Sequence, residues 1–244
     1  MARHEQTVVV GAGRVGRTVA ARLPGARLVG RAEAGGDLGG CRLVLLATPD
    51  AAIAEVAGAL APRLSPTCAV IHFSGATSVR ALDAVSGPTA SVHPLQTVWP
   101  ERGPDQLEGA HAAVTGDWEL GAGLARELGM TPFPLDDSAK PVYHAASTFA
   151  SNYLVTLTQV AVGLLERAGL ERQAALDALA PLQMRTVEVA GSPPTGPIAR
   201  GDVTTIRAHL EAIGPGLQPL YRDLGRATLP LVSRQAADAI REAL

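Results

Sequence analysis

The segment YHAASTFASN, residues 143–152, sets a histidine, two serines, a threonine and an asparagine into an alanine-rich run. Wound as an α-helix at about 100° per residue, His144, Ser147, Thr148, Ser151 and Asn152 share one side with Lys140. Ala145, Ala146, Phe149, Ala150, Tyr153 and Leu157 fill the other. A face meant for water usually carries Glu, Lys and Arg. This stripe is short-chained and mostly uncharged, which suits enclosure by a ligand cleft or by a hydrogen-bonded interior. Polar or small residues also close three apolar runs, as Ala47-Thr48-Pro49-Asp50, His72-Phe73-Ser74-Gly75 and His93-Pro94-Leu95-Gln96-Thr97. His93 opens a proline-stiffened turn and is either a proton donor or substrate ligand, or a turn-stabilising histidine. Thr48 and Pro49 are expected along a cofactor ribose and Ser74 in the same crevice. Asp50 reads as a helix N-cap, His72 as a buried, satisfied histidine and Lys140 as solvated, because a lysine in a first turn opposes the helix dipole.

Gly11-Ala12-Gly13-Arg14-Val15-Gly16 is a G-x-G-x-x-G run that follows the apolar strand TVVV and opens a helix. That context gives the pattern its meaning. The first glycine permits the tight turn, the second lets backbone approach a pyrophosphate, and the third lets the helix pack on the strand. The phosphate would rest on the helix N-terminus. At the end of the next strand, where an NAD site places an acid for the ribose, stands Arg31, a residue able to clamp a 2′-phosphate. Arg14 lies nearby. Glu33, two residues on, argues the other way; the expectation is NADP(H) over NAD.

These residues need a sheet whose strands end on one crevice. TVVV, ARLVGR, CRLVLLATPD, TCAVIHFSGATS, PTASVHPLQT, HAAVTGD and TPFPL read as strands, with helices through RVGRTVAARL, AAIAEVAGALA and LARELGM. Near-continuous apolar strands alternating with helices predict a Rossmann-type, doubly wound parallel α/β sheet covered on both faces. After DDSAKP the pattern is helical with Gly and Pro breaks and shows no convincing strand. The predicted domains are a dinucleotide-binding domain over 1–137 and an all-helical substrate and dimerisation domain over 138–244.

The chain has 244 residues, of which 47% are hydrophobic and 3% aromatic, so its apolar mass is Ala, Leu and Val. Its net charge of −2 and dispersed basic residues give no reason to expect nucleic acid or an acidic membrane. Cys41 and Cys68 lack metal-ligand spacing and read as free thiols. No metal cluster, apolar signal core or run of about 18 uncharged apolar residues is visible. The expected location is the cytoplasm.

The two-domain plan resembles the reductases and β-hydroxyacid dehydrogenases related to 6-phosphogluconate dehydrogenase, including ketopantoate reductase. SVHPLQT, YHAASTFASNYLVTL and TGPIARGDVTTIRAHL resemble an uncharacterised bacterial family that pairs a Rossmann-like NADP-binding domain with a helical C-terminal domain of unknown function. The resemblance covers nearly the whole chain; it implies the fold and a dimer but no substrate. Ketopantoate reductases carry a lysine and two asparagines at four-residue steps on the first helix of the second domain. The matching positions are His144, Thr148 and Asn152. Asn152 keeps the residue, His144 replaces the lysine and could still donate a proton, and Thr148 departs. Where those reductases hold substrate hydroxyls with an acid, this chain offers Thr204 or Thr205. HPLQT resembles the His-Pro turn of prephenate dehydrogenases, which adds weight to His93. The glycine-rich EAGGDLGG after Arg31 departs from relatives that fit a helix there.

The resulting expectation is an NADP(H)-dependent oxidoreductase reducing a C=O or C=N group of a small anionic metabolite, without a metal. His144 is the general acid, Asn152 orients the substrate and His93 assists. The rival is a catalytically silent NADP-binding sensor or regulatory subunit. Asp202 should cap the helix TTIRAHL, Arg200 should bind an acidic group or pair with Asp202, and Leu154, Leu157, Val160, Leu164 and Leu165 should serve a homodimer.

Overall fold

The computed structural model describes residues 4–30, 38 and 40–244. Contacts divide the chain into two compact units, Met1–Tyr153 and Leu154–Leu244. The first holds seven strands: β1 (Thr7–Val10), β2 (Arg27–Val29), β3 (Leu43–Leu46), β4 (Ala69–His72), β5 (Thr89–Pro94), β6 (His111–Gly116) and β7 (Thr131–Pro134). They form one sheet in the order β2-β1-β3-β4-β5-β6-β7. Every run expected as a strand is one. The first five are parallel, but β6 runs antiparallel to β5 and β7 runs parallel to β6. The expected doubly wound parallel sheet is present and mostly parallel, with its direction reversed at the last two strands. Only two short 3-10 turns, Pro100–Arg102 and Pro104–Leu107, lie between β5 and β6, and an antiparallel return needs no α-helical crossover.

Alternation along the strands builds the layers. Val9, Leu45, Ile71 and Val92 face a core shared with Val19 of α1 (Arg14–Arg22), Leu23 just after it, Leu124 and Ala125 of α3 (Trp118–Glu127), and Leu128 just after that helix. Val8, Val10, Val44, Leu46 and Val70 face the opposite core, closed by Ile53, Val56, Ala57 and Leu60 of α2 (Ile53–Leu60). With both faces covered, polar groups can gather only at strand ends. The outer strand β7, TPFP, has prolines at alternate positions.

α4 (Lys140–Ala150) and α5 (Asn152–Arg167) follow the sheet. The composition change at residue 137 and the contact division after Tyr153 are different boundaries, because α4 is tied to strand ends. The second unit continues through α6 (Arg172–Glu188), α7 (Pro197–Arg200), α8 (Val203–Ile213), α9 (Gln218–Thr228) and α10 (Arg234–Ile240). Its core is Ile206, Leu210, Ile240, Ala243 and Leu244. Asp202 caps α8 as expected, accepting from the Thr205 N–H at 3.0 Å and its hydroxyl at 2.7 Å.

Against the expectation of no candidate span, the helical run Asp137–Arg167 is long and apolar enough to cross a membrane by length and composition alone, with a mean hydropathy of 1.3. Side-chain hydrogen bonds from Lys140, Tyr143 and Ser151 fasten its first half to the sheet.

Candidate active site at the strand ends

The glycine turn has the geometry its spacing requires. Gly11 has φ of +112°, and a Cβ there would lie 2.4 Å from the Ala47 carbonyl oxygen. A Cβ on Gly16 would lie 1.8 Å from the Gly11 oxygen. Both positions demand glycine for packing alone. Gly13 differs: a Cβ there would meet nothing within 4 Å. The missing side chain leaves an open cradle at the head of α1. Gly13 is the N-cap with no side-chain cap, and the first turn holds no acid. The leading N–H groups of α1 thus receive no acceptor from a capping side chain, and the residues fit the pyrophosphate of a dinucleotide. Ala12 and Arg14 are exposed at the mouth, while Val15 is half-buried. Arg31 and Glu33, on which the choice between NADP and NAD was read, lie outside the described residues.

Across the turn, at the end of β3, Thr48 buries a hydroxyl with no hydrogen-bond partner among the described residues, and Pro49 is exposed. Asp50 is not the expected cap. Pro49 is the N-cap of the short turn at Asp50–Ala52, without a side-chain hydrogen bond. Ser74 spends its hydroxyl inside its own loop, accepting from the Thr77 N–H at 2.9 Å and bonding the Thr77 hydroxyl at 2.9 Å. His72 is fully buried. Its Nδ1 accepts from the Ser74 N–H at 3.1 Å, so the proton sits on Nε2, which has no partner among the described residues. His72 is buried as expected but only half satisfied. Burial, reinforced by the charge of Lys140, pushes its pKa down to about 4.

The polar stripe faces these strand ends. Lys140 is 2% exposed. Its ammonium donates to Ser91 Oγ on β5 at 2.7 Å and to the Ser74 carbonyl at 3.1 Å. Burial pushes its pKa down to about 8, against the pull of Asp137 and Asp50. The expectation that Lys140 is solvated is therefore wrong. A helix-dipole penalty of about 0.3–1 kcal/mol is too small to outweigh two aligned acceptors and a neighbouring carboxylate. Burial acts to raise Asp137, but hydrogen bonds from the Ser78 hydroxyl and Val79 N–H, with Lys140 and Arg80 nearby, hold it below the usual carboxylate range.

One turn along, the Tyr143 hydroxyl lies 2.7 Å from His93 Nδ1. Burial pushes Tyr143 up to about 12 and, with His144 and Lys140, His93 down to about 4. At neutral pH this is a neutral imidazole against a neutral phenol. Whichever holds the shared proton fixes whether His93 Nε2 donates or accepts. The ring is seated on Gly75, where a Cβ would come within 2.8 Å of it. His144 is half-buried, its ring centroid 6.1 Å from that of His93. At the far end of α4, the Ser151 hydroxyl lies 3.1 Å from that of Thr97. Asn152 is exposed. The structure thus brings His93 and His144 together and leaves Asn152 apart. It adds Tyr143 and Ser91, which the sequence did not single out. Ser91 had no signal, whereas Tyr143 had one in its adjacency to the stripe.

Residues 109–228 match the family described as a domain of unknown function, DUF2520. The DUF2520 segment holds β6, α3, β7 and the whole polar stripe, while the glycine turn and His93 precede it. Comparison with curated proteins gives no match. Among solved structures, the chain is similar to a "putative NADP oxidoreductase" from Bacteroides fragilis, at 21% identity and a TM-score of 0.73 over 91% of this chain and 96% of that one. A Thermotoga maritima protein is similar at 22% identity and a TM-score of 0.70, over 96% and 99%. A reductive aminase from Aspergillus terreus, in complex with NADPH and ethyl-5-oxohexanoate, is similar at 13% identity and a TM-score of 0.64, over 98% and 99%. At such identities the likeness is one of fold, and that fold is Rossmann-type.

In the second unit, Arg200 ends α7, Thr204 is exposed, Thr205 serves the Asp202 cap, and His209 bonds the Tyr221 hydroxyl at 2.9 Å. Among the described residues no group of three or more His, Cys, Asp or Glu could hold a metal ion.

Proposed function

We propose that this chain is an NADP(H)-dependent oxidoreductase that reduces a C=O or C=N group of a small anionic metabolite. The observation that carries the reading is the uncapped glycine cradle at Gly13, opening at the same strand ends where His93 and His144 meet. The resemblance in fold to a reductive aminase in complex with NADPH supports it. Bound there, the nicotinamide would supply hydride. Gly11, Gly13 and Gly16 would hold the pyrophosphate against α1, with Ala12, Arg14 and Val15 around it, Thr48, Pro49 and the Ser74 loop along the remaining length, and Arg31 on a 2′-phosphate.

His144 is the general acid in this reading, delivering a proton to the developing alkoxide or amine. His93 assists from the β5 end, its Nε2 set by the Tyr143 hydrogen bond. Lys140, protonated below about pH 8, puts a positive charge behind Ser91 and favours an anionic substrate. Asn152 is exposed and would meet a distal part of that substrate. The protein works as a homodimer in which a second copy covers the apolar side of α4, where Val142 and Phe149 are 71% and 70% exposed. Partners other than substrate and a second copy are not part of the reading.

The test loads the protein with NADPH and identifies by mass spectrometry a retained metabolite with a reducible C=O or C=N group. That metabolite is then assayed by NADPH oxidation. A protein that binds NADPH but turns over neither keto nor imino acids would instead be the silent sensor.

A further inference from the structure

We infer that Trp99 is a positioning residue for phosphate recognition, holding Arg14 at the mouth of the glycine turn so that its guanidinium meets a phosphate oxyanion of the bound dinucleotide. This rests on the NADP(H) reading above. The Arg14 guanidinium carbon lies 5.6 Å from the centroid of the Trp99 ring. Arg14 opens α1, where a cation opposes the helix dipole, and no acid in the first turn compensates it. Its neighbour Arg17 is spent on the Ala12 carbonyl at 2.8 Å. A cation, N–H groups without a side-chain cap and an open cradle therefore converge on a space for which the first turn of α1 supplies no anion. A phosphate relieves all three.

The tryptophan is held in place for that task. It is 53% exposed, so it is not there as core. One side chain, Gln106, captures its backbone on both sides. Gln106 Oε1 accepts from the Trp99 N–H at 2.7 Å, and Nε2 donates to the Trp99 carbonyl at 3.0 Å. The same amide nitrogen reaches Thr18 Oγ1 of α1 at 3.3 Å, and Asp105 pairs with Arg22 of α1 at 2.6 Å. Arg14, Thr18 and Arg22 are successive i, i+4 positions, one ridge of the helix. The loop of Trp99–Leu107 is strapped along that ridge, so the helix that would carry the phosphate also fixes the tryptophan. Nothing else in the site explains an exposed indole fastened this way.

The test titrates the full protein with NADPH and with NADH by calorimetry, using Trp99→Ala, Trp99→Phe, Arg14→Ala and the double variant W99A/R14A. Loss of an exposed cation–π contact should weaken binding about three- to fivefold in W99A. W99F should recover part of that loss. In the Arg14→Ala background, removing Trp99 should cost nothing further, a coupling that a merely structural role would not produce. Equal weakening of both dinucleotides places Arg14 on the pyrophosphate, and weakening of NADPH alone places it on the 2′-phosphate; either supports the inference. Unchanged affinity in W99A, or additive losses in the double variant, overturns it while leaving the cofactor reading intact. If the unmodified protein binds neither dinucleotide, the cofactor reading itself falls and this inference with it.

Discussion

Lys140 Nζ lies 2.7 Å from Ser91 Oγ, joining the first turn of α4 to the middle of β5 with almost no access to water. The contact makes a cation part of the interior just behind the histidine pair. Its energetic consequence has a sign. Lys140 binds its proton less tightly in the folded chain, at about 8, than at the ordinary 10.5 of an unfolded one. Between those values the unfolded chain holds more protons, so stability rises with pH.

Lys140→Met removes that titration. The unmodified protein should gain about 3 kcal/mol relative to K140M between pH 8 and pH 10.5, since each pKa unit is worth about 1.36 kcal/mol. Denaturant unfolding of both proteins across this range measures it, and Tyr143 and Cys68 cancel in the difference. A difference that stays flat with pH would show that Lys140 is not buried as a cation.

His72 and His93 act in the opposite pH range. Each is held to about 4 by burial, against an ordinary 6.5, so the unfolded chain takes up protons first as the solution is acidified. Stability present above pH 6.5 should be lost as pH falls toward 4, by about 3 kcal/mol per histidine. His93→Gln should make the fall shallower. Gly75→Ala, whose Cβ would come within 2.8 Å of the His93 ring, should displace the imidazole and lower turnover at neutral pH. Full activity in that variant would remove His93 from the chemistry.

His144 and Asn152 should separate kinetically. They are eight residues apart, about 12 Å along a helix, so the two cannot touch one reacting atom. His144→Ala should depress kcat by about 100-fold or more, the usual scale of general acid catalysis. Asn152→Ala should chiefly raise KM. An unimpaired H144A variant would exclude His144 as the acid.

On the proposed NADP(H) reading, cofactor choice should follow from Arg31. NADPH should bind at least about tenfold more tightly than NADH, a difference of about 1.4 kcal/mol. Arg31→Asp should narrow or reverse the preference. Equal affinities in the unmodified protein would mean that Arg31 holds no 2′-phosphate.

Association should follow from the apolar side of α4. Light scattering at micromolar concentration should give the mass of two chains. Phe149→Glu, at a side chain 70% exposed in the single chain, should shift the mass toward one. A monomer in the unmodified protein would refute the homodimer.

The seven strands were legible because buried parallel strands are unbroken apolar runs between turn residues, a signal that survives in a single sequence. The reversal of β6 was not. Strand direction depends on the path of the connection, and the stretch between His93 and His111 contains short turns with no helical period. The glycine turn was readable from local backbone demands at Gly11 and Gly16. The site was legible only in part. The stripe on α4 was found by helical phase, but phase does not say which side meets the protein. In the structure the polar side meets strand ends, and Phe149, on the other side, is exposed. Lys140 was misjudged because a local dipole rule was applied where acceptors distant in sequence, Ser74 and Ser91, decide the outcome.

The alternate prolines of β7 have a consequence for how the sheet ends. Thr131 and Leu135 direct their N–H groups inward, to the carbonyls of Ala110 and Val114 at 2.8 Å. The outward positions between them fall on Pro132 and Pro134, which have no N–H to offer. A strand from another molecule would find acceptors there but no donors at these two places. This edge is thereby closed to templated extension, and fibril-like or edge-to-edge growth from it is blocked by two imide nitrogens.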